Sequence, residues 1–195
     1  MYVLTQSDLK MRSFAMRCKI ASIPALFLFM LVFAGCEEFP RDNPEAVFIY
    51  HHVNYAWGIQ DYGFIIDAGG NIREFNLPAT WNYPDEDGYI SESEMDENFA
   101  QLGETTCTVN RYDANYFAGK LREAQSGKIT AAEHRMCDFG ADSYGGFLYE
   151  PENHRYKYVF VRQTGDWYSE NTSRDAGVIY EWLKEPCKGS LSVRF

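Results

Sequence analysis

Basic residues are scarce in this sequence. Its 195 residues include 18 lysines and arginines against 28 aspartates and glutamates, which gives a formal net charge of −10. Nucleic acids and anionic lipid surfaces are bound through clusters of basic side chains, so the composition argues against both partners. The sequence also lacks a Gly-x-Ser-x-Gly nucleophile motif, a phosphate-binding glycine loop, internal repeats and low-complexity tracts.

The longest apolar run is too short to span a membrane. It reads IASIPALFLFMLVFAG, about 15 residues against the ~20 that a membrane-spanning helix needs. Four basic residues precede it: Lys10, Arg12, Arg17 and Lys19. A positive segment, a short apolar segment and then small residues are typical of a secretory signal peptide. We therefore expect residues 1–35 to be a targeting segment and not part of the fold.

The apolar run ends in FAGC, with Phe33 in the place where Leu is usual and with Cys36 last. Residues 11–36 thus resemble the lipobox-type signal peptide of bacterial lipoproteins. The resemblance implies that the chain is cut before Cys36 and that Cys36 receives the lipid anchor, palmitate included. Glu37 stands where an Asp would favour retention in the inner membrane, so the resemblance implies a lipid-anchored envelope protein of the outer membrane.

The residues after the signal are predicted to form a short tether and one domain. Residues 36–45 contain two prolines and mixed charges, which suit a link between lipid and domain. Residues 46–195 are long enough for a single globular domain with its own core. The chain from Cys36 onward keeps 14 of the basic and 27 of the acidic residues, so it is more acidic than the whole.

Three cysteines follow Cys36, so at most one disulfide can form within the domain. An oxidising envelope favours such a bond. We expect Cys107 to pair with Cys137, while pairings through Cys187 stay open. One thiol is left over in every case.

Apolar patterns predict an α+β domain. Two β-rich runs, 63–66 and 72–75, flank a glycine-containing turn and predict a hairpin. Two further strands meet at 151–154, and the second is apolar on both faces, as in a central strand. Three helices are predicted from cap signals, at Ser91 with Glu94, at Thr130 with Glu133, and at Thr172 with Asp175. A further helix is predicted from Asp113 by the apolar residues on one of its sides, which are Ala114, Phe117, Leu121 and Ala124. The expected fold is a mostly antiparallel sheet built from two hairpins, with about four helices packed on it.

The segment DEDGYISESE, residues 85–94, partly matches the residue pattern of a calcium-binding EF-hand loop. With Gly88 at loop position 6, Asp85, Asp87 and Glu94 fall at ligand positions 3, 5 and 12. The first ligand position is Tyr83, however, and no helix enters the loop. We favour a solvated turn followed by a helix cap, with calcium at these three carboxylates as an alternative and no other cofactor.

Two other groups of residues are candidates for function. Asp166 and Glu170 lie beside aromatic residues, as paired carboxylates do in enzymes that cleave glycans. A strand-to-helix loop explains them more simply. Aromatic residues are concentrated near the first hairpin, where they could stack on sugars or anchor a protein: Tyr55, Trp57, Tyr62, Trp81 and Tyr83.

The sequence as a whole favours a non-catalytic envelope protein that binds or supports another envelope component, either a protein or a glycan. One alternative is an envelope enzyme that acts on glycan or peptide through Asp166 and Glu170. The other alternative is a calcium-binding module built on Asp85, Asp87 and Glu94.

Overall fold

The computed structural model describes residues 46–188. The predicted signal peptide, the lipidation site at Cys36 and the tether 36–45 lie outside the described residues.

Nine strands of the described chain form one sheet with antiparallel pairing throughout. They are β1 (Ala46–Asn54), β2 (Gln60–Ile66), β3 (Asn71–Asn76), β4 (Tyr89–Ser91), β5 (Thr105–Thr108), β6 (Glu133–His134), β7 (Ala141–Glu150), β8 (Arg155–Gly165) and β9 (Trp167–Glu170). The order across the sheet is β5-β3-β2-β1-β7-β8-β9-β6, and β4 pairs with β8. Three helices accompany them: α1 (Glu92–Ala100), α2 (Arg111–Ala124) and α3 (Arg174–Leu183).

The α+β class and the mostly antiparallel sheet are confirmed, but the finer prediction is not matched. The described residues hold three helices, and the sheet is larger than two hairpins. The predicted helix at Thr130 is absent because this segment is used as strand. Glu133 and His134 pair with β9, and the Thr130 N–H donates to the Glu170 carbonyl. Pairing with a distant strand has overridden a local capping signal.

Each face of the sheet has its own apolar core, because successive strand residues point to opposite sides. On the side called face A, α2 and α3 cover a core of Phe48, Ile66, Leu121, Val159, Ile179 and Leu183. On the other side, called face B, α1 covers Val47, Ile49, Ile65, Ile90, Met95 and Phe147. Neighbouring glycines on β7 let both cores come close: a Cβ on Gly145 would meet Tyr158, and one on Gly146 would meet Leu121.

The capping box predicted at α1 is confirmed. The Ser91 hydroxyl accepts a hydrogen bond from the Glu94 N–H, and the Glu94 carboxylate accepts one from the Ser91 N–H. These bonds satisfy donors that the first turn of a helix leaves free. The cap of α3 is Ser173, one residue after the predicted Thr172.

The structure joins Cys107 to Cys187, with their Cα atoms 6.4 Å apart, and not to Cys137 as expected. Cys107 lies on β5 and packs against the core of face A, and Cys187 lies a few residues after α3. Cys137 is exposed and free. The predicted pairing was wrong because proximity along the sequence does not measure proximity in the sheet.

Candidate binding site

Two consecutive histidines, His51 and His52, lie on β1 in the candidate site. Because side chains alternate along a strand, His51 points to face B and His52 to face A, and both side chains are buried. His52 is paired with Asp142, which lies directly across from it on β7, and His51 is paired with Asp61 on β2. The adjacent histidines therefore belong to two separate polar networks, one on each side of the sheet.

On face A, the Nδ1–H of His52 donates to Asp142 Oδ1 at 2.8 Å. The Tyr50 hydroxyl donates to the same oxygen, also at 2.8 Å. The Tyr62 ring stacks on His52 with centroids 4.7 Å apart, and Nε2 of His52 is buried without a hydrogen-bond partner among residues 46–188. Burial, then the bond to Asp142, raises the pKa of Tyr50 well above its ordinary value, so the phenol stays neutral.

On face B, the Nε2–H of His51 donates to Asp61 Oδ1 at 2.7 Å. Tyr83 stacks on the imidazole, and Phe75 and Trp81 pack around it. A small cavity of about 150 Å³ remains between His51, Trp81, Asn98, Ser143 and Tyr158. Burial raises the pKa of Tyr83 and, more strongly, that of Tyr158, so both phenols stay protonated at neutral pH.

Face A carries a larger depression, here called the open groove. It has a volume of about 510 Å³, which is in the range of small-molecule sites. Its side chains come from β1, β2 and β3: Tyr50, Tyr62, Phe64, Glu74 and Asn76. The register places Tyr50 directly across from Phe64, and Phe64 across from Glu74. The helices α2 and α3 cover the part of face A around Phe48, so the groove stays open to solvent.

Three neighbouring loops at the end of β1 expose large apolar side chains. These loops are the β1–β2 turn, the segment before β7, and the turn between β8 and β9 together with the first residue of β9. Asn54 Nδ2 donates to the Asp138 carbonyl, and the Asp166 N–H donates to the Gly140 carbonyl, which holds the loops together. The exposed side chains, here called the apolar end, are Tyr55, Trp57, Ile59, Met136, Phe139 and Trp167.

The predicted aromatic surface is divided in the structure. Tyr55 and Trp57 lie in the apolar end, and Tyr62 borders the open groove. Trp81 and Tyr83 lie on face B, where both contact His51. Proximity in sequence therefore does not place these five residues on a single surface.

Two of the three carboxylates predicted for calcium, those of Asp85 and Glu94, have a local role in the structure, and Asp87 makes a contact through its backbone. Asp85 Oδ1 accepts the Tyr89 N–H at 2.8 Å, and the Asp87 carbonyl accepts the Lys157 ammonium. Glu94 closes the capping box, and its hydrogen bonds with the Ser91 hydroxyl and N–H lower its pKa. Across residues 46–188, no group of three His, Cys, Asp or Glu side chains is placed to hold a metal ion.

Asp166 and Glu170 also serve the fold. The Asp166 carboxylate accepts the N–H groups of Phe139 and Gly140 at 2.9 and 3.2 Å, which shapes the loop before β7. Glu170 accepts hydrogen bonds from the Tyr168 hydroxyl at 2.7 Å and from Arg162 at 2.6 Å. These contacts lower the pKa of Glu170, which is the opposite of what a general acid needs.

Sequence reasoning missed His51, His52, Asp142, Phe64 and Glu74. A usable signal was present, since two histidines within the apolar strand AVFIYHHVN must point to opposite faces and each must find a buried partner. Their partners were not visible, because Asp142 lies 90 residues from His52 along the chain.

Comparisons of this chain with protein-family models, with curated proteins and with solved structures found no match. Within the described part of the chain, no helix is both long enough and apolar enough to cross a bilayer.

Proposed function

We propose that the protein is a lipid-anchored, non-catalytic binding module of the bacterial cell envelope that docks a protein partner through its apolar end. The docking proposal rests on one observation, that exposed Tyr, Trp, Phe, Met and Ile side chains lie on three adjacent loops. Large exposed apolar patches mark interaction surfaces. Tyr, Trp, Phe and Met are also the types enriched at the centres of protein interfaces.

Charge favours a protein over a membrane as the occupant. Asp138 and Asp166 lie on the loops of the apolar end, Arg135 beside them is paired with Glu133, and the whole chain is acidic. Anionic lipid headgroups are repelled by such a surface, whereas a protein partner with a basic rim is attracted. Trp57 is the natural anchor because its side chain is 79% exposed at the tip of the β1–β2 turn.

Site-specific photo-crosslinking tests the docking surface. A photoreactive phenylalanine analogue replaces Trp57 in one variant and Tyr112 in the other, in the cells that make the protein. Tyr112, on α2, is the matched control because it is even more exposed, at 87%, but lies outside the apolar end. We expect crosslinking from position 57 to give a discrete protein adduct, and crosslinking from position 112 not to give it. The Phe139→Ser substitution should weaken the adduct from position 57. Equal adducts from both positions, or none from 57, would overturn the proposal.

The anchor is tested separately by Cys36→Ser. We expect the wild-type chain in the membrane fraction with a lipid-modified N-terminal peptide, and the variant without the lipid mass. A wild-type chain that is not acylated would refute the anchor without affecting the docking surface.

A further inference from the structure

The open groove combines aromatic rings with negative charge. The Phe64 and Tyr50 rings are 5.4 Å apart, and Tyr144 continues the row at 5.1 Å from Tyr50, so aromatic surface extends across β2, β1 and β7. Tyr62 adds a ring that is 40% exposed at the border. The face of an aromatic ring carries partial negative charge and attracts cations.

Glu74 supplies a formal charge to the groove. Its carboxylate is exposed and has no ion pair or hydrogen bond among residues 46–188. The adjacent Arg73 does not neutralise it, because Arg73 points to face B, where it lies over Phe99 and near Asp67. The groove therefore presents a carboxylate that is available to a ligand.

The central ring is also electron-rich. The Tyr50 hydroxyl donates to Asp142, whose second hydrogen bond comes from His52. A phenol that donates to a carboxylate gains electron density in its ring, which strengthens its attraction for a cation placed over the face. The same aspartate adds negative charge beneath the groove.

We propose that the open groove binds an organic cation with an alkylammonium head, held over the rings of Tyr50, Tyr62 and Phe64 and paired with Glu74. Anions are repelled by Glu74 and by the acidic chain. A metal ion would need several oxygen ligands, and the groove offers a single carboxylate. The groove is distinct from the apolar end, so this proposal and the proposed docking fail or succeed independently.

Calorimetric titration of the purified full-length chain tests the charge requirement. The probes are choline and 3,3-dimethylbutan-1-ol, which has the same shape without the charge. We expect saturable binding of choline and binding of the neutral probe that is at least about tenfold weaker. Equal binding of both probes, or no saturable binding of choline and of the lysine probe described next, would overturn the proposal.

A third probe identifies the source of the ammonium group. N-acetyl-lysine methylamide represents a lysine side chain of a partner protein, and choline represents a free small molecule. Tighter binding of the lysine probe assigns the groove to a partner's side chain. Tighter binding of choline assigns it to a small ligand, and both results support a cation site.

Two variants localise the site, with a charge-matched control. Glu74→Gln is expected to weaken choline binding about fivefold, and Tyr62→Leu to weaken it about tenfold. Glu152→Gln removes the same charge from an exposed position in the turn between β7 and β8, outside the groove, and should leave binding unchanged. If Glu74→Gln and Glu152→Gln behave alike, the groove is not the site. An unchanged melting temperature of Glu74→Gln shows that this substitution acts on binding and not on folding.

Discussion

Face A and face B of the sheet have the same basic plan and differ in what covers them. Both carry an apolar core at one end of β1 and a buried histidine–aspartate pair toward the other. On face B, the chain before α1 folds Trp81 and Tyr83 over His51 and leaves a cavity of about 150 Å³. On face A, the helices stop short of Tyr50 and leave the groove of about 510 Å³.

The difference shows how one strand can supply both a core and a site. Because side chains alternate along a strand, both faces of β1 carry aromatic and polar side chains. These side chains become part of the core wherever another segment of the protein covers them. Where no segment covers them, the same types of residue form a concave aromatic surface that suits a ligand. The following changes test this comparison, from the largest expected effect to the smallest.

The disulfide should matter most, because it ties the chain that follows α3, a helix covering face A, to β5 of the sheet. Replacing Cys107 and Cys187 by Ser together opens a link across 80 residues of sequence. Loss of that constraint on the unfolded chain should lower the free energy of unfolding by about 3–5 kcal/mol in urea titrations. Cys137→Ser is the control and should change it by less than about 0.5 kcal/mol, since Cys137 is exposed and free. A large loss in the control would contradict the Cys107–Cys187 pairing.

Truncation within face A should separate its covered part from its open part. Leu121 lies on α2 and is fully buried against the sheet, so Leu121→Ala should cost about 3 kcal/mol through lost contacts and a residual cavity. Phe64 is half-buried beside the groove, so Phe64→Leu should cost about 1 kcal/mol or less. Both values come from urea unfolding. Equal costs would mean that the groove is part of the core.

The two histidine–aspartate pairs should differ in their contribution to stability. Asp142 accepts two hydrogen bonds, from Tyr50 and His52, whereas the Asp61 side chain accepts one, from His51. Asp142→Asn should therefore lower the free energy of unfolding by about 2–3 kcal/mol, and Asp61→Asn by about 1–2 kcal/mol. Chemical denaturation at pH 7 measures both. The reverse order would show that the network on face B is the more important one.

The smallest expected effect is at the cap of α1, the helix that covers face B. Ser91→Ala should cost about 1 kcal/mol at neutral pH. The hydrogen bonds from Ser91 lower the pKa of Glu94 in the folded state, so their contribution is complete above the ordinary pKa of a glutamate. It is lost as the pH falls through the lowered pKa. Thermal unfolding between pH 7 and pH 2 should show the difference between wild type and variant shrinking in acid, and a difference that grows would refute the capping box.

Elements with strong local signals could be predicted from the sequence. The glycine turn between β2 and β3, the Ser91–Glu94 capping box and the apolar stripe of α2 all depend on residues within a few positions of one another. The segment at Thr130 carries a similar capping signal, but its backbone pairs with β9 across about 40 residues of sequence. Long-range pairing of this kind was invisible, as was the choice of Cys187 over Cys137.

The sequence by itself determined the turn between β2 and β3, the acidic character of the chain and the placement of His51 and His52 on opposite faces of β1. Local backbone geometry and composition are enough for these properties. Only the tertiary structure decided that Asp142 would meet His52, that three separate loops would form the apolar end, and that Tyr50, Phe64 and Glu74 would line an open groove. The physical reason is that burial depends on which distant segment packs over a face, and no local pattern encodes that choice.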